Sequence, residues 1–405
     1  MFRQITLLAV VALTLPFWSW SPWVAWAGHE VSLLERLSAN DVLLVAHPDG
    51  RIVYNKNASK KYAPASTLKL LTSLAAIHHL GLDYRFKTEF YQDREKNLTI
   101  KGYGDPLLIS EVWQEIAHRL APRLKGCKDL ILDDTYFERG IRVPGVNRST
   151  NPYDAPVGAL CANFNTVFLE QDATGKTVSA EPQTPITPLV RRNVTLQKKG
   201  KGRYTVIHHS EEAAFYAGEL FVHFMGKNGI HRQGKIRLGA IGPGDRLLYT
   251  YKSVFPLEQG LRRMLEFSNN FMANQILIAL GAHVHGRPGT LDKGVQVLNE
   301  YSKKVLHLNN VCIVEGSGIS RKNRLSAMDM LPVLKGFAPY RSLLNHRGRL
   351  WYKGGTLKGL RTRVGYMECG KGKWYSFVVY LEGHDPDIET LVNALGENLD
   401  KCRND

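Results

Sequence analysis

The chain has 405 residues, 44% hydrophobic and 22% charged, enough for one large domain or two ordinary ones with separate cores. Its 36 glycines and 18 prolines sit near average usage, which excludes a collagen-like or low-complexity chain. With 53 Lys and Arg against 37 Asp and Glu the formal net charge is +16, so the surface favours an anionic partner: nucleic acid, acidic lipid or an acidic polymer.

Arg3 is the sole charged residue before Glu30, and an apolar run from Ile5 to Phe17 leads to Ala25-Trp26-Ala27. This is the pattern of a signal peptide over residues 1–27, with a basic start, an apolar centre and an A-x-A cleavage site. The competing reading is an uncleaved anchor from Ile5 to Ala27. Cleavage after Ala27 implies an exported, periplasmic protein with no stable membrane span. An exported protein does not meet nucleic acid, so the basic charge needs another anionic partner. The five cysteines (Cys127, Cys161, Cys312, Cys369, Cys402) are widely spaced and contain no C-x-x-C. Two disulfides are compatible with an oxidising compartment, and a cysteine-built metal site is not supported.

Asp41–Ala46 and Arg51–Asn55 read as strands around a His47-Pro48-Asp49-Gly50 turn. Pro64-Ala65-Ser66 opens a helical pattern through Leu68, Leu71, Ala75 and His78, stopped by Gly81. A long mixed region follows, with strand-like pieces at Asn97–Lys101, Asp129–Asp133 and Val194–Gln197. Helical periodicity returns from Pro256 through Leu261, Met264 and Leu265, breaks at Ser268-Asn269-Asn270, and runs to Leu280 with Gly281 as its stop. Arg349–Gly355, Arg361–Met367 and Trp374–Leu381 read as three strands, and Asp387–Lys401 as a helix. The expected architecture is α+β: the early hairpin and the three late strands form one five-stranded antiparallel sheet flanked by helices. Residues 28–85 and 246–405 then make the catalytic domain, and 86–245 a large inserted α/β-mixed domain.

Ser66-Thr67-Leu68-Lys69 starts the first helix, so residues i and i+3 share a face and the Lys69 ammonium can reach the Ser66 hydroxyl. A serine needs such a base to act as a nucleophile, and a partly desolvated lysine can supply it. The helix N-terminus adds backbone N–H groups for a developing oxyanion. Alone, S-x-x-K is more often an N-cap serine beside a solvated lysine. Ser268-Asn269-Asn270 and Lys353-Gly354-Gly355-Thr356 change that balance, because S-x-x-K, S-D-N and K-T-G together form the motif set of penicillin-binding proteins and serine β-lactamases. No G-x-S-x-G or H-E-x-x-H occurs, and the histidines at 78–79, 208–209, 283 and 285 lack a carboxylate or cysteine at ligand spacing.

With these residues in place the chain resembles the class C low-molecular-mass penicillin-binding proteins, D-alanyl-D-alanine carboxypeptidases and endopeptidases with a serine β-lactamase-like fold. Gly102-Tyr103-Gly104-Asp105-Pro106, Tyr153-Asp154-Ala155-Pro156 with Ala159-Leu160 and Asn163–Asn165, and Glu315-Gly316-Ser317-Gly318-Ile319-Ser320-Arg321 also resemble family segments. The resemblance implies that Ser66 forms an acyl-enzyme with Lys69 as its base. Ser268 and Asn270 would complete the proton relay, and Lys353, Gly355 and Thr356 would bind substrate. The backbone N–H groups of Ser66 and Thr356 would form the oxyanion hole. The implied partners are the D-Ala-D-Ala stem peptides of peptidoglycan and β-lactam antibiotics, and no metal or cofactor is required. Two departures stand out. Asn269 replaces the family's usual aspartate, and Gly354 lacks the usual hydroxyl, so one carboxylate contact is expected to be missing and Gly354→Thr to restore it. The alternatives are a catalytically weak wall-binding homologue and a β-lactamase.

Overall fold

A computed structural model describes residues 37–194, 200–370, 372–383 and 387–401. The expected signal peptide, Cys402 and most of the Val194–Gln197 strand lie outside the described residues. The principal elements in chain order are β1 (Val42–Ala46), β2 (Ile52–Lys56), α1 (Lys69–Leu80), β3 (Lys87–Gln92), β4 (Leu98–Gly102), α2 (Ser110–Leu120), β5 (Leu130–Asp133), α3 (Ser210–Lys227), β6 (Ile236–Leu238) and β7 (Arg246–Lys252). They continue with α4 (Leu257–Glu266), α5 (Asn270–His285), α6 (Leu291–Lys304), α7 (Ala327–Phe337), β8 (Asn345–Arg347), β9 (Leu350–Leu357), β10 (Leu360–Cys369), β11 (Lys373–Glu382) and α8 (Ile388–Lys401).

The first sheet runs β8-β9-β10-β11-β1-β2 and is antiparallel at every pairing. It has the five expected strands plus the three-residue β8 at its edge. Strand alternation sends successive side chains to opposite faces. Val42, Leu44, Val378 and Tyr380 join the core formed with α1, α5 and α7. Leu43, Val45, Phe377, Val379 and Leu381 face the other way, against Leu391, Val392 and Leu395 of α8. Both chain ends therefore meet in one sheet.

Between α1 and α4 the chain builds a second sheet, β6-β5-β4-β3-β7, with its own core against α2 and α3. Its β7 pairs antiparallel with β3, so the second sheet runs past the expected domain boundary at 245/246 and extends to Lys252. The two parts are tied together by Gln275 of α5, whose Nε2 donates to the Gly158 carbonyl at 2.5 Å and whose Oε1 accepts from the Gly158 N–H at 3.3 Å. The Gly102 segment packs backbone to backbone on Ala159, and a Cβ at Gly102 would lie 2.2 Å from the Ala159 carbonyl oxygen. Cys127, Cys161 and Cys312 carry free thiols, so of the pairings the sequence left open at most one disulfide remains, since five cysteines with three free leave at most one pair. Among the described residues no helix is long and apolar enough to cross a membrane.

Candidate active site

Ser66 sits in a 3-10 turn, Ala65–Leu68, that leads into α1. Ala65 has φ 49°, a left-handed backbone that costs a residue with a Cβ about 1 kcal/mol, and it turns the serine out of an otherwise buried stretch. The turn is pressed from two sides. A Cβ at Gly318 would lie 1.7 Å from the Ala65 carbonyl oxygen, and one at Gly355 would lie 2.6 Å from the Ser66 amide nitrogen. Only glycine permits either approach. Gly355 thus brings β9 against the serine's own N–H.

Lys69 is fully buried. Its Nζ lies 2.9 Å from Ser66 Oγ, 2.8 Å from Asn270 Oδ1 and 2.7 Å from the Ser317 carbonyl oxygen. Burial holds its pKa well below the ordinary lysine value, and the positive charge of Lys353 adds to that, with Glu315 opposing. An ammonium has three N–H donors for these three oxygens, whereas a neutral amine has two donors and a lone pair. A carbonyl and an amide oxygen can only accept, so in the neutral form both donors go to Asn270 and Ser317. The lone pair is then left facing the one partner that can donate, Ser66 Oγ–H. The geometry orients a base at the serine.

Ser268 lies in the break between α4 and α5 with φ 52°, and its Oγ accepts from Lys353 Nζ at 2.8 Å. Lys353, on β9, also donates to the Gly354 carbonyl at 2.6 Å and is almost wholly buried. Burial first, and the nearby Arg363 charge second, bring its pKa down to about 7. Each serine hydroxyl therefore has its own lysine. Asn269 does not point at either: its Oδ1 accepts from the Met272 N–H at 2.9 Å and caps α5, a role open to aspartate and asparagine alike.

Ser66, Ser268, Asn270, Lys353, Gly355 and Thr356 all line one cleft of about 1110 Å³. Lys69 lies beneath it. All seven residues singled out from the sequence therefore converge, across separations of up to 290 positions between Ser66 and Thr356. Among the described residues no group of three or more His, Cys, Asp or Glu side chains is placed to hold a metal.

Two contributors carry no motif of their own. The Ser317 carbonyl oxygen is one, and the buried Glu315 carboxylate is the other. Glu315 accepts from the Ser317 and Gly318 N–H groups at 2.6 and 2.7 Å and from Asn323 Nδ2 at 2.6 Å, fixing the loop that presents the Ser317 carbonyl to Lys69. The Glu315–Arg321 segment signalled a family likeness, but a backbone acceptor leaves no trace in side-chain identity.

The chain is similar to curated D-alanyl-D-alanine carboxypeptidases. It is 26% identical to the enzyme of that name from Actinomadura sp. (strain R39) over 75% of this chain and 65% of that protein. It is 24% identical to D-alanyl-D-alanine carboxypeptidase DacB of Haemophilus influenzae over 84% of this chain and 85% of that one. The alignment thus spans a little under two thirds of the first relative's length. In fold it is similar to the crystal structure of penicillin binding protein 4 (dacB) from Haemophilus influenzae, with a TM-score of 0.75, 22% identity and coverage of 93% of this chain and 98% of that one. The family model for the D-Ala-D-Ala carboxypeptidase 3 (S13) family matches residues 35–346, a stretch that contains Ser66, Lys69, Ser268 and Asn270 and ends before Lys353. The chain belongs to the D-Ala-D-Ala carboxypeptidase 3 (S13) family.

Proposed function

We propose that the chain is a serine-type D-alanyl-D-alanine peptidase that acts on peptidoglycan stem peptides through an acyl-enzyme at Ser66. The observation that carries this reading is the 2.9 Å approach of a buried Lys69 Nζ to Ser66 Oγ, with the amine's other two directions occupied by oxygens that can only accept. Ser66 Oγ attacks the carbonyl carbon between two D-alanine units as its proton passes to Lys69. The resulting oxyanion is met by the Ser66 and Thr356 N–H groups, which Gly355 allows to lie close together. The tetrahedral intermediate collapses, the amine of the terminal D-alanine takes a proton relayed through Ser268, and free D-alanine leaves. Water then adds to the acyl carbonyl, and Ser66 regains its proton as the shortened peptide departs. A β-lactam would acylate Ser66 by the same attack, with the opened ring amide as leaving group. Export and a periplasmic site are part of the proposal. They are supported by the basic, apolar and A-x-A pattern of residues 1–27 and by a wall polymer being the substrate.

Incubation of the purified chain with diacetyl-L-lysyl-D-alanyl-D-alanine is expected to release D-alanine, and Ser66→Ala to abolish release. A chain that releases none is a wall-binding relative, and one that turns over a chromogenic β-lactam rapidly while sparing the peptide is a β-lactamase.

A further inference from the structure

Gly354 follows Lys353 on β9 and faces Arg363 across the β9–β10 register. A Cβ built on Gly354 would lie 2.2 Å from Arg363 Nη1. The guanidinium tip therefore occupies the space over Gly354, and a side chain at 354 would have to displace it. Two contacts hold Arg363 there. Its Nη2 pairs with Glu389 of α8, and the Tyr352 ring centroid lies 4.5 Å from the guanidinium carbon, a stacking contact of the kind arginine favours. With Nη2 engaged, Nη1 is the arm standing over Gly354. Glu389 is itself shared with Arg347 at 4.0 Å, so the positive charge of Arg363 is not cancelled. Arg363 lines the same cleft as Ser66, Lys353 and Thr356.

We propose that Arg363 is the carboxylate-recognising residue of this cleft: its Nη1 takes the place of a hydroxyl side chain at position 354 and donates to the C-terminal carboxylate of a D-alanyl-D-alanine peptide, or to the carboxylate of a β-lactam. The identity of the ligand rests on the peptidase reading above, whereas the preference for a carboxylate does not require turnover. A planar guanidinium matches a carboxylate better than a hydroxyl does and adds charge to the hydrogen bond. The cleft that seemed to lack a contact gains a stronger one from the neighbouring strand. It also follows that Gly354→Thr alone does not improve binding, since the new side chain displaces Nη1 from the place where it would meet the carboxylate.

The test is ligand-observed NMR titration of the full chain with diacetyl-L-lysyl-D-alanyl-D-alanine and with its C-terminal carboxamide. The unmodified chain is expected to bind the carboxylate about tenfold more tightly than the carboxamide, the size of one charge-assisted hydrogen bond. In Arg363→Ala the ratio falls to near one with carboxamide binding retained, and Arg363→Lys lies between. Gly354→Thr weakens carboxylate binding, while Gly354→Thr combined with Arg363→Ala recovers part of the ratio. If Arg363→Ala does not fold, Arg363→Gln, which keeps part of the aliphatic stem and a neutral amide donor, takes its place with the same expected loss. An unmodified chain without carboxylate preference, or a folded Arg363 variant that keeps the full ratio, overturns the proposal. A ratio that depends on Arg363 in a chain that releases no D-alanine leaves this inference standing and removes the peptidase reading.

Discussion

In the proposed mechanism two lysines with depressed pKa values serve opposite ends of the same chemistry. Lys69 must be neutral to take the Ser66 proton, and its pKa lies well below the ordinary value because it is buried beside Lys353. As an ammonium, Lys353 donates to Ser268 Oγ at 2.8 Å, which the proposed proton relay requires, and its pKa is brought down to about 7. Raising the pH deprotonates both. kcat/KM for a carboxylate-ended peptide should therefore climb through the depressed Lys69 pKa and fall above about pH 7 as Lys353 loses its proton. Arg363→Ala removes a charge that lowers the Lys353 pKa, so the alkaline limb should move to higher pH. A profile that rises steadily to pH 10 would contradict these roles. At this scale the sequence was most informative where spacing is short. Ser66 and Lys69 are one helical turn apart, and their contact follows from helix geometry. The Glu315 segment was legible as a likeness without a role, and the Ser317 carbonyl and Arg363 were not legible, because a backbone acceptor and a cross-strand neighbour depend on loop path and register.

Among the elements, β9 and the turn before α1 are held at a distance set by Gly355. Gly355→Ala would place a methyl 2.6 Å from the Ser66 amide nitrogen and 2.8 Å from Ala65 Cβ, closer than atoms can pack, so the strand must move away from the turn. Since the proposed oxyanion donors sit on those two elements, β-lactam acylation should fall by about 10²-fold or more, with a far-UV circular dichroism spectrum like that of the parent. Acylation within a factor of about two of the parent would show that this spacing is not critical. Element ends were the least readable feature. Gly281 read as a helix stop, yet α5 continues to His285 and is capped by Gly286. The glycine serves packing instead, since a Cβ there would lie 2.6 Å from the Gly294 amide nitrogen of α6. β7 was placed on the wrong side of the boundary because its partner, β3, lies about 160 residues earlier in the chain, a long-range pairing that local pattern cannot report. The hairpin and the three late strands were legible from alternation and turn residues, and they hold the cleft's β9 wall.

Across the whole molecule, the cleft exists because the chain leaves the first sheet after α1 and returns with α4. Ser66 comes from the early part, Ser268 and Asn270 from the first helices after the return, and Lys353 from the late strands. Segments between α1 and α4 pack into the first core through Val157, Ala159 and Cys161 and place Phe164 and Tyr153 at the cleft wall. The separation of the first two motifs signalled a long intervening stretch, whereas the contact of that stretch with the cleft was not readable. The account stands on Ser66 being the acylated atom. Peptide mass mapping after incubation with benzylpenicillin tests this directly. The account predicts one intact penicilloyl adduct per chain, on the peptide carrying Ser66, and none in Ser66→Ala. An adduct on another residue, or one that persists in the variant, would contradict it.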